Sequence, residues 1–289
     1  MANMLIIKRR IGSVRNTRQI TKAMELVSAS KMRRAQEQAI VVRPYREFAY
    51  ELLAKLSQLP EANQHALYEK RRIKNRLYVV ITSNSSLAGA YNINVLRLLS
   101  QSVADDYAQN IKSSVVMIGK KGAKFARHHQ NIDLIAVYGE FGKHPTEEDI
   151  KPMLFTILDK YRTKEVDNIQ IIYTLFKSNI AQIATKTELL PAKLENNSST
   201  PINYFTNFEP SVDVVLDNVT ARLIEVQIWQ ALLESIASEH SMRMLAMKNA
   251  SDNAGDIIDD LTLALNTARQ SRITQELAEI TGGAEALKD

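Results

Sequence analysis

Apolar residues recur with two different periods along this chain, and the change of period marks its parts. In the first 58 residues, Ile7, Ile11, Val14, Ile20, Met24, Val27, Met32 and Ala35 follow one another at mainly helical steps, which predicts one long helix over about residues 4–58. Pro44 falls inside it and removes a backbone hydrogen bond there, so a bend is expected. From residue 212 onward, Val212, Val215, Val219, Leu223, Val226, Trp229, Leu233, Ile236, His240, Met244 and Met247 alternate steps of three and four. Ala254, Ile258, Leu261, Leu265 and Ala268 resume the series. A seam close to 3.5 residues per turn, held far beyond 25 residues, is the pattern of a coiled coil. Glu209-Pro210-Ser211 offers Ser211 as the N-cap, with Asp213 in the first turn. At 1.5 Å per residue, a helix over 212–281 is about 100 Å long.

Between these helices the period changes. Leu77–Thr82 is a short β-branched run, and Ser114–Ile118, Asp133–Tyr138, Ile169–Leu175 and Ile180–Leu190 read as further strands. Helical stretches fall at 91–109, 120–128 and 147–162, and Phe176-Lys177-Ser178-Asn179 reads as the turn of a hairpin. Strands alternating with helices predict an α/β fold: a parallel sheet with an antiparallel edge. Residues 60–210 hold five of the nine glycines and six of the seven prolines. The expected division is therefore 1–58, an N-terminal coiled-coil helix; 59–210, a globular α/β domain whose residues 193–210 form a polar connection; and 211–289, a C-terminal coiled-coil helix.

Pairing the two long helices antiparallel from a common base sets Met24 near Leu245 and Met4 near Leu265. The first helix is then used up, and residues 266–286, about 30 Å of helix, project alone. That tip still carries Ile273, Leu277, Ile280 and Leu287. A lone helix exposing such residues is marginal in water, so a socket in another protein is expected.

Composition narrows the chemistry. The chain has 289 residues and no cysteine, which removes disulfides, thiol nucleophiles and thiolate metal sites. No run of about 18 apolar residues occurs and the N-terminus shows no secretory signal, so any membrane link is expected through partners. The net charge is +5, but residues 1–34 alone carry nine basic side chains and one acid, Glu25. The remaining 255 residues are net −3. From charge alone, a solvated helix face and an acidic protein partner fit this segment equally well. A nucleic-acid ligand fits less well, because half the helix surface is committed to packing.

Ser83–Tyr91 follows a strand and precedes a helix, where α/β folds hold phosphates, but neither G-x-G-x-x-G nor G-x-x-x-x-G-K-[ST] is present. Gly119–Lys124 lacks the phosphate-loop spacing as well. His128-His129 has no further ligand at helical spacing, and His240 reads as a polar interruption of the seam. No catalytic residue, metal ligand or cofactor site is expected.

Three stretches carry a resemblance. Ile20–Arg33 (ITKAMELVSASKMR), Met242–Asn253 (MRMLAMKNASDN) and Ala268–Leu277 (ARQSRITQEL), with Glu279-Ile280 and Gly282-Gly283-Ala284, resemble the signatures of the gamma subunits of F-type rotary ATP synthases. Their order and spacing match over nearly the whole chain. The resemblance implies a long antiparallel coiled coil plus a central Rossmann-like α/β domain. It implies a central rotor shaft, without catalytic residues of its own, that passes rotation of a membrane c-ring to a head of three alpha and three beta subunits and so couples ion flow to ATP synthesis. An epsilon subunit would be a further partner and nucleic acid would not. The location implied is peripheral, on the cytoplasmic side of the inner (plasma) membrane of a bacterium.

By the same resemblance, Lys22 and Met24 match positions facing an acidic lever of beta, Arg243 the position opposite Met24, and Arg9 a basic position near the upper shaft. Arg269, Gln270, Thr274 and Glu276 match contacts between tip and head, and Ile273, Leu277 and Ile280 the end held in an apolar bearing. One stretch departs: the family's Asp-Arg-Gly-Leu-Cys-Gly turn reads Asn84-Ser85-Ser86-Leu87-Ala88-Gly89 here.

Overall fold

The computed structural model describes residues 2–56, 67–69, 71–139, 146–192 and 212–285. The sequence readings for the 193–210 connection, the Ser211 cap and Leu287 lie outside them. The elements in chain order are α1 (Ala2–Leu56), β1 (Asn75–Ile81), α2 (Tyr91–Ala108), β2 (Lys112–Ile118), α3 (Lys120–Ala126) and β3 (Asp133–Tyr138). A single 3-10 turn (Glu147–Ile150) leads into α4 (Lys151–Arg162), followed by β4 (Asn168–Phe176), β5 (Gln182–Leu190) and α5 (Val212–Glu285). The molecule divides into two compact units. One comprises residues 1–28 with 243–289; the other is 29–242.

In the unit of residues 29–242, five strands lie in the order β3-β2-β1-β4-β5. The first four run parallel, and β5 returns antiparallel along β4. Alternation along each strand sorts side chains to two faces. Leu77, Val79, Ile81, Val116, Ile118, Ile169 and Ile171 meet Met153, Ile157 and Tyr161 of α4 and Leu216–Leu233 of α5 on one face. Tyr78, Val80, Val115, Met117 and Ile172 meet Val95, Leu99 and Val103 of α2 and Ala123 and Ala126 of α3 on the other. The layers are therefore helices, sheet, helices. Gly119, at φ 97°, joins β2 to α3. A Cβ there would lie 2.2 Å from the Thr82 carbonyl oxygen, so only glycine fits.

Among the described residues of this unit, the charged side chains of Asp106 and Glu225 are buried. Asp106 of α2 is fully enclosed and accepts from Arg76, from Tyr78 Oη at 2.7 Å and from Ser113 Oγ at 3.0 Å. It ties α2 to β1 and β2. Tyr78 is held protonated far above its ordinary range, chiefly by burial and then by this carboxylate.

In the other unit, residues 2–28 of α1 pair with α5 from Arg243 to about Ala268 as an antiparallel coiled coil. The α1 seam contains Ile7, Ile11 and Val14 but then differs from the expected one. Ile20 and Val27 are 61% and 55% exposed, whereas Thr21 and Ser28 are buried. The physical period of 3.5 residues continues through small polar side chains whose hydroxyls bond their own helix: Thr21 Oγ1 donates to the Arg18 carbonyl and Ser28 Oγ to that of Met24. On α5 the seam runs through Arg243, Met247, Ser251, Ala254 and Ile258, then the half-buried Leu261, Leu265 and Ala268. Leu245 sits off that seam, with its side chain largely exposed. The Arg18 guanidinium lies over Gly255, its Cζ 3.3 Å from where a Cβ would stand. Every residue from Arg269 to Thr281 is exposed.

Candidate coupling surfaces

The residues singled out in the sequence fall on three surfaces. The first is the outer face of α1. Arg9 and Lys22 are exposed, and Lys22 Nζ pairs with Glu25 at 3.0 Å, one helical turn away. Exposed Ile20 and Leu26 lie beside them. This surface mixes cations with apolar groups that the helix leaves in water.

The second is the seam itself. Met24 is half-buried and Arg243 is only 6% exposed. Arg243 therefore belongs to the covered seam and not to the outer face of the rod.

The third is the tip. Arg269, Gln270, Thr274 and Glu276 are all exposed. Thr274 Oγ1 donates to the Gln270 carbonyl, and Glu276 pairs with Arg272 at 2.7 Å, so their polar atoms are engaged along the same helix. Ile273, Leu277 and Ile280 are 47%, 58% and 68% exposed. Three to four residues apart, they form one apolar stripe on a helix with no neighbour among the described residues.

The loop after β1 shows a different arrangement. Ser83 N–H donates to Asn92 Oδ1, Asn92 Nδ2 donates to Ser83 Oγ, and Ser83 Oγ donates to the Ser85 carbonyl. Asn84 Oδ1 accepts the Lys120 N–H and Thr82 Oγ1 the Gly122 N–H. These polar groups hold the starts of α2 and α3. Leu87 and Gly89 both take positive φ to close the turn. His128 Nδ1 lies 2.8 Å from the Lys124 carbonyl and the His129 ring packs on Phe125. Among the described residues no group of three or more His, Asp or Glu side chains is gathered as a metal site, and no helix is long and apolar enough to cross a membrane.

Sequence reasoning missed the buried hydroxyls: Thr21, Ser28 and Ser251 in the two-helix seam, and Ser235, Ser238 and Ser241 on the face of α5 turned to β4. The seam hydroxyls fall in register with apolar neighbours, and their chemistry hid them.

An α/β sheet unit and, separately, a two-helix unit built from the ends of helices of 55 and 74 residues define a class: proteins that combine an α/β domain with a long antiparallel coiled coil. The family model described as ATP synthase matches residues 3–287, and this chain belongs to that family. Among its relatives, the ATP synthase gamma chain of Acidithiobacillus ferrooxidans is 39% identical, covering 99% of this chain and all of its own length. That of Geobacter metallireducens is 38% identical, over the full length of both. The fold is similar to a chain in the Euglena gracilis mitochondrial ATP synthase structure of OSCP, F1 and c-ring in rotational state 3. The TM-score there is 0.69 at 19% identity, covering 99% of this chain and 95% of that one. A chain in the rotor of the same enzyme gives a TM-score of 0.65, covering 94% and 99%.

Proposed function

We propose that this chain is the central rotor shaft of an F-type ATP synthase, turning with a membrane c-ring and driving the alpha/beta head through its catalytic cycle. The observation that carries this is the end of α5, where Arg269–Thr281 are exposed all round and Ile273, Leu277 and Ile280 line up in one stripe. An apolar stripe on an unaccompanied helix is stable only inside a socket. Apolar contacts are non-directional, so such an end can turn in its socket without locking at one angle. Polar contacts that prefer particular angles belong elsewhere. Arg269, Gln270, Thr274 and Glu276 flank the stripe; Lys22 and Met24 would face an acidic lever of beta, with Arg243 opposite Met24 and Arg9 near the upper shaft, so the Lys22 charge would be felt once per catalytic site.

The chain is a non-catalytic subunit in this reading: nucleotide chemistry belongs to alpha and beta, and membrane attachment to the c-ring, with epsilon beside the globular domain. It places the protein at the cytoplasmic face of a bacterial inner membrane, within the membrane-associated enzyme.

The test is co-expression with alpha and beta subunits. The expected product is a stable complex with one copy of this chain per three alpha and three beta. Replacing Ile273, Leu277 and Ile280 together by Ser should lower complex yield several-fold while leaving the chain folded by circular dichroism. A wild-type chain that stays free of the head would refute the shaft reading.

A further inference from the structure

The sheet and α5 meet through more than apolar packing. Ser235, Ser238 and Ser241 recur every third residue on the face of α5 that looks at β4, and all three are fully buried. β1 pairs with β4 only as far as Val80 opposite Ile172. Two residues further along β4, the Thr174 N–H donates to Ser235 Oγ at 3.1 Å, and the Thr174 carbonyl accepts from Ser238 Oγ at 3.2 Å. In a strand the N–H and C=O of one residue point the same way in the plane of the sheet. The two serines therefore occupy the place of the next strand in the ladder, where β1 has ended. One turn on, Ser241 Oγ donates to the Asn179 carbonyl at 3.0 Å in the β4–β5 turn, and Gln182 Nε2 donates to Ser241 Oγ at 3.1 Å.

Four polar groups, on β4, in the turn that follows and at the start of β5, are thus read by three hydroxyls spread over almost two turns of helix. Ridge-and-groove packing lets a helix rotate or slide against a sheet through many nearly equal arrangements. Hydrogen bonds with both donor and acceptor fixed do not. The Thr174 N–H and C=O are buried, so on losing these partners they have no water to replace them. The bonds therefore resist rotation of α5 about its own axis more strongly than the surrounding leucines and isoleucines do.

We propose that Ser235, Ser238 and Ser241 form a torsional joint, which makes the sheet and α5 turn as one body and passes load from the globular domain into the long helix. The proposal deepens the shaft reading and rests on it. The serines are positioning residues: they touch no nucleotide and no ion.

The experiment uses the assembled enzyme with its head fixed to a surface. The chain has no cysteine, so Tyr107→Cys, at an exposed position of α2, gives this subunit a single attachment point for a probe. The angular fluctuations of the probe then report torsional stiffness. The S235A/S238A/S241A variant should lower that stiffness at least two-fold relative to Tyr107→Cys alone. Leu223→Ala, which removes a buried apolar contact of α5 but no bond to β4, should leave it within the spread of the parent. Equal stiffness in the triple variant, or equal softening by Leu223→Ala, overturns the joint. Should the triple variant not assemble, Ser241→Ala replaces it, and the same two outcomes apply with a smaller softening.

A second arm needs no partner. In the free full-length chain, the Thr174 amide should exchange with deuterium at least ten-fold faster in Ser235→Ala than in wild type, with amides of β2 unchanged. No change at Thr174 overturns the joint. Failure of the wild-type chain to join alpha and beta subunits overturns the shaft reading instead, so the two failures are told apart.

Discussion

α5 is one unbroken helix that lives in two very different surroundings. From Leu216 to Ser241 almost every side chain is buried or half-buried, because the sheet and α4 cover it on several sides. From Arg243 the cover thins, from Ile258 to Ala268 only every third or fourth residue is covered, and from Arg269 to Thr281 none is. The lesson concerns what holds a helix together. In the globular unit, burial of apolar area stabilises it many times over. In the two-helix rod a single stripe does so, and at the tip nothing in the chain does. Residue types barely change along the way: Leu233, Leu265 and Leu277 are chemically one residue in three environments.

This contrast is open to direct attack. The largest effect is expected at Asp106→Ala in the globular unit, which strands the Arg76 guanidinium beneath α2. It should cost about 3–5 kcal/mol in denaturant unfolding. Leu233→Ala should cost about 3 kcal/mol, while Leu277→Ala should stay within about 0.5 kcal/mol in the free chain. Comparable costs for these two leucines would break the comparison.

A third effect depends on pH. Tyr68, whose hydroxyl lies 2.5 Å from Thr220 Oγ1 of α5, is pushed by burial to a pKa of about 12. A raised folded-state value favours the neutral phenol. Its contribution is thus complete below pH 10, the ordinary value, and is lost as pH climbs toward 12. Stability of the globular unit should fall by about 2 kcal/mol through this window from Tyr68 alone, and Tyr68→Phe should remove that share of the slope. The smallest effect is expected on the rod surface. Lys22→Ala removes the exposed pair with Glu25 and should change unfolding free energy by no more than about 0.5 kcal/mol. A large loss there would mean that the rod is stabilised by its charges rather than by its seam.

Much of the fold was legible because its parts use different periods. The strand runs from Leu77, Ser114, Asp133 and Ile169, and the helices between them, lie within a few residues of where alternation placed them. The coiled coil was legible from its length. The seam of α1 departs from expectation at Ile20 and Val27 because an apolar side chain is not by itself a mark of burial: Thr21 and Ser28 hold the covered positions, and the larger apolar residues face outward. The buried Asp106 could not be read at all, since its partners Arg76, Tyr78 and Ser113 come together only through the strand register. The same holds for the serines on β4: their spacing was visible, but the strand end they complete exists only in the folded sheet. As for the sites singled out in the sequence, Lys22 and the tip residues lie exposed, whereas Arg243 is buried, which its charge alone did not announce.

The unaccompanied end of α5 also bears on the life of the chain before assembly. A helix that frays at its terminus exposes backbone to proteolysis at nearly no free-energy cost. The free chain is therefore expected to be cut first between Arg269 and Thr281, and any protein seated over that stretch would shield it.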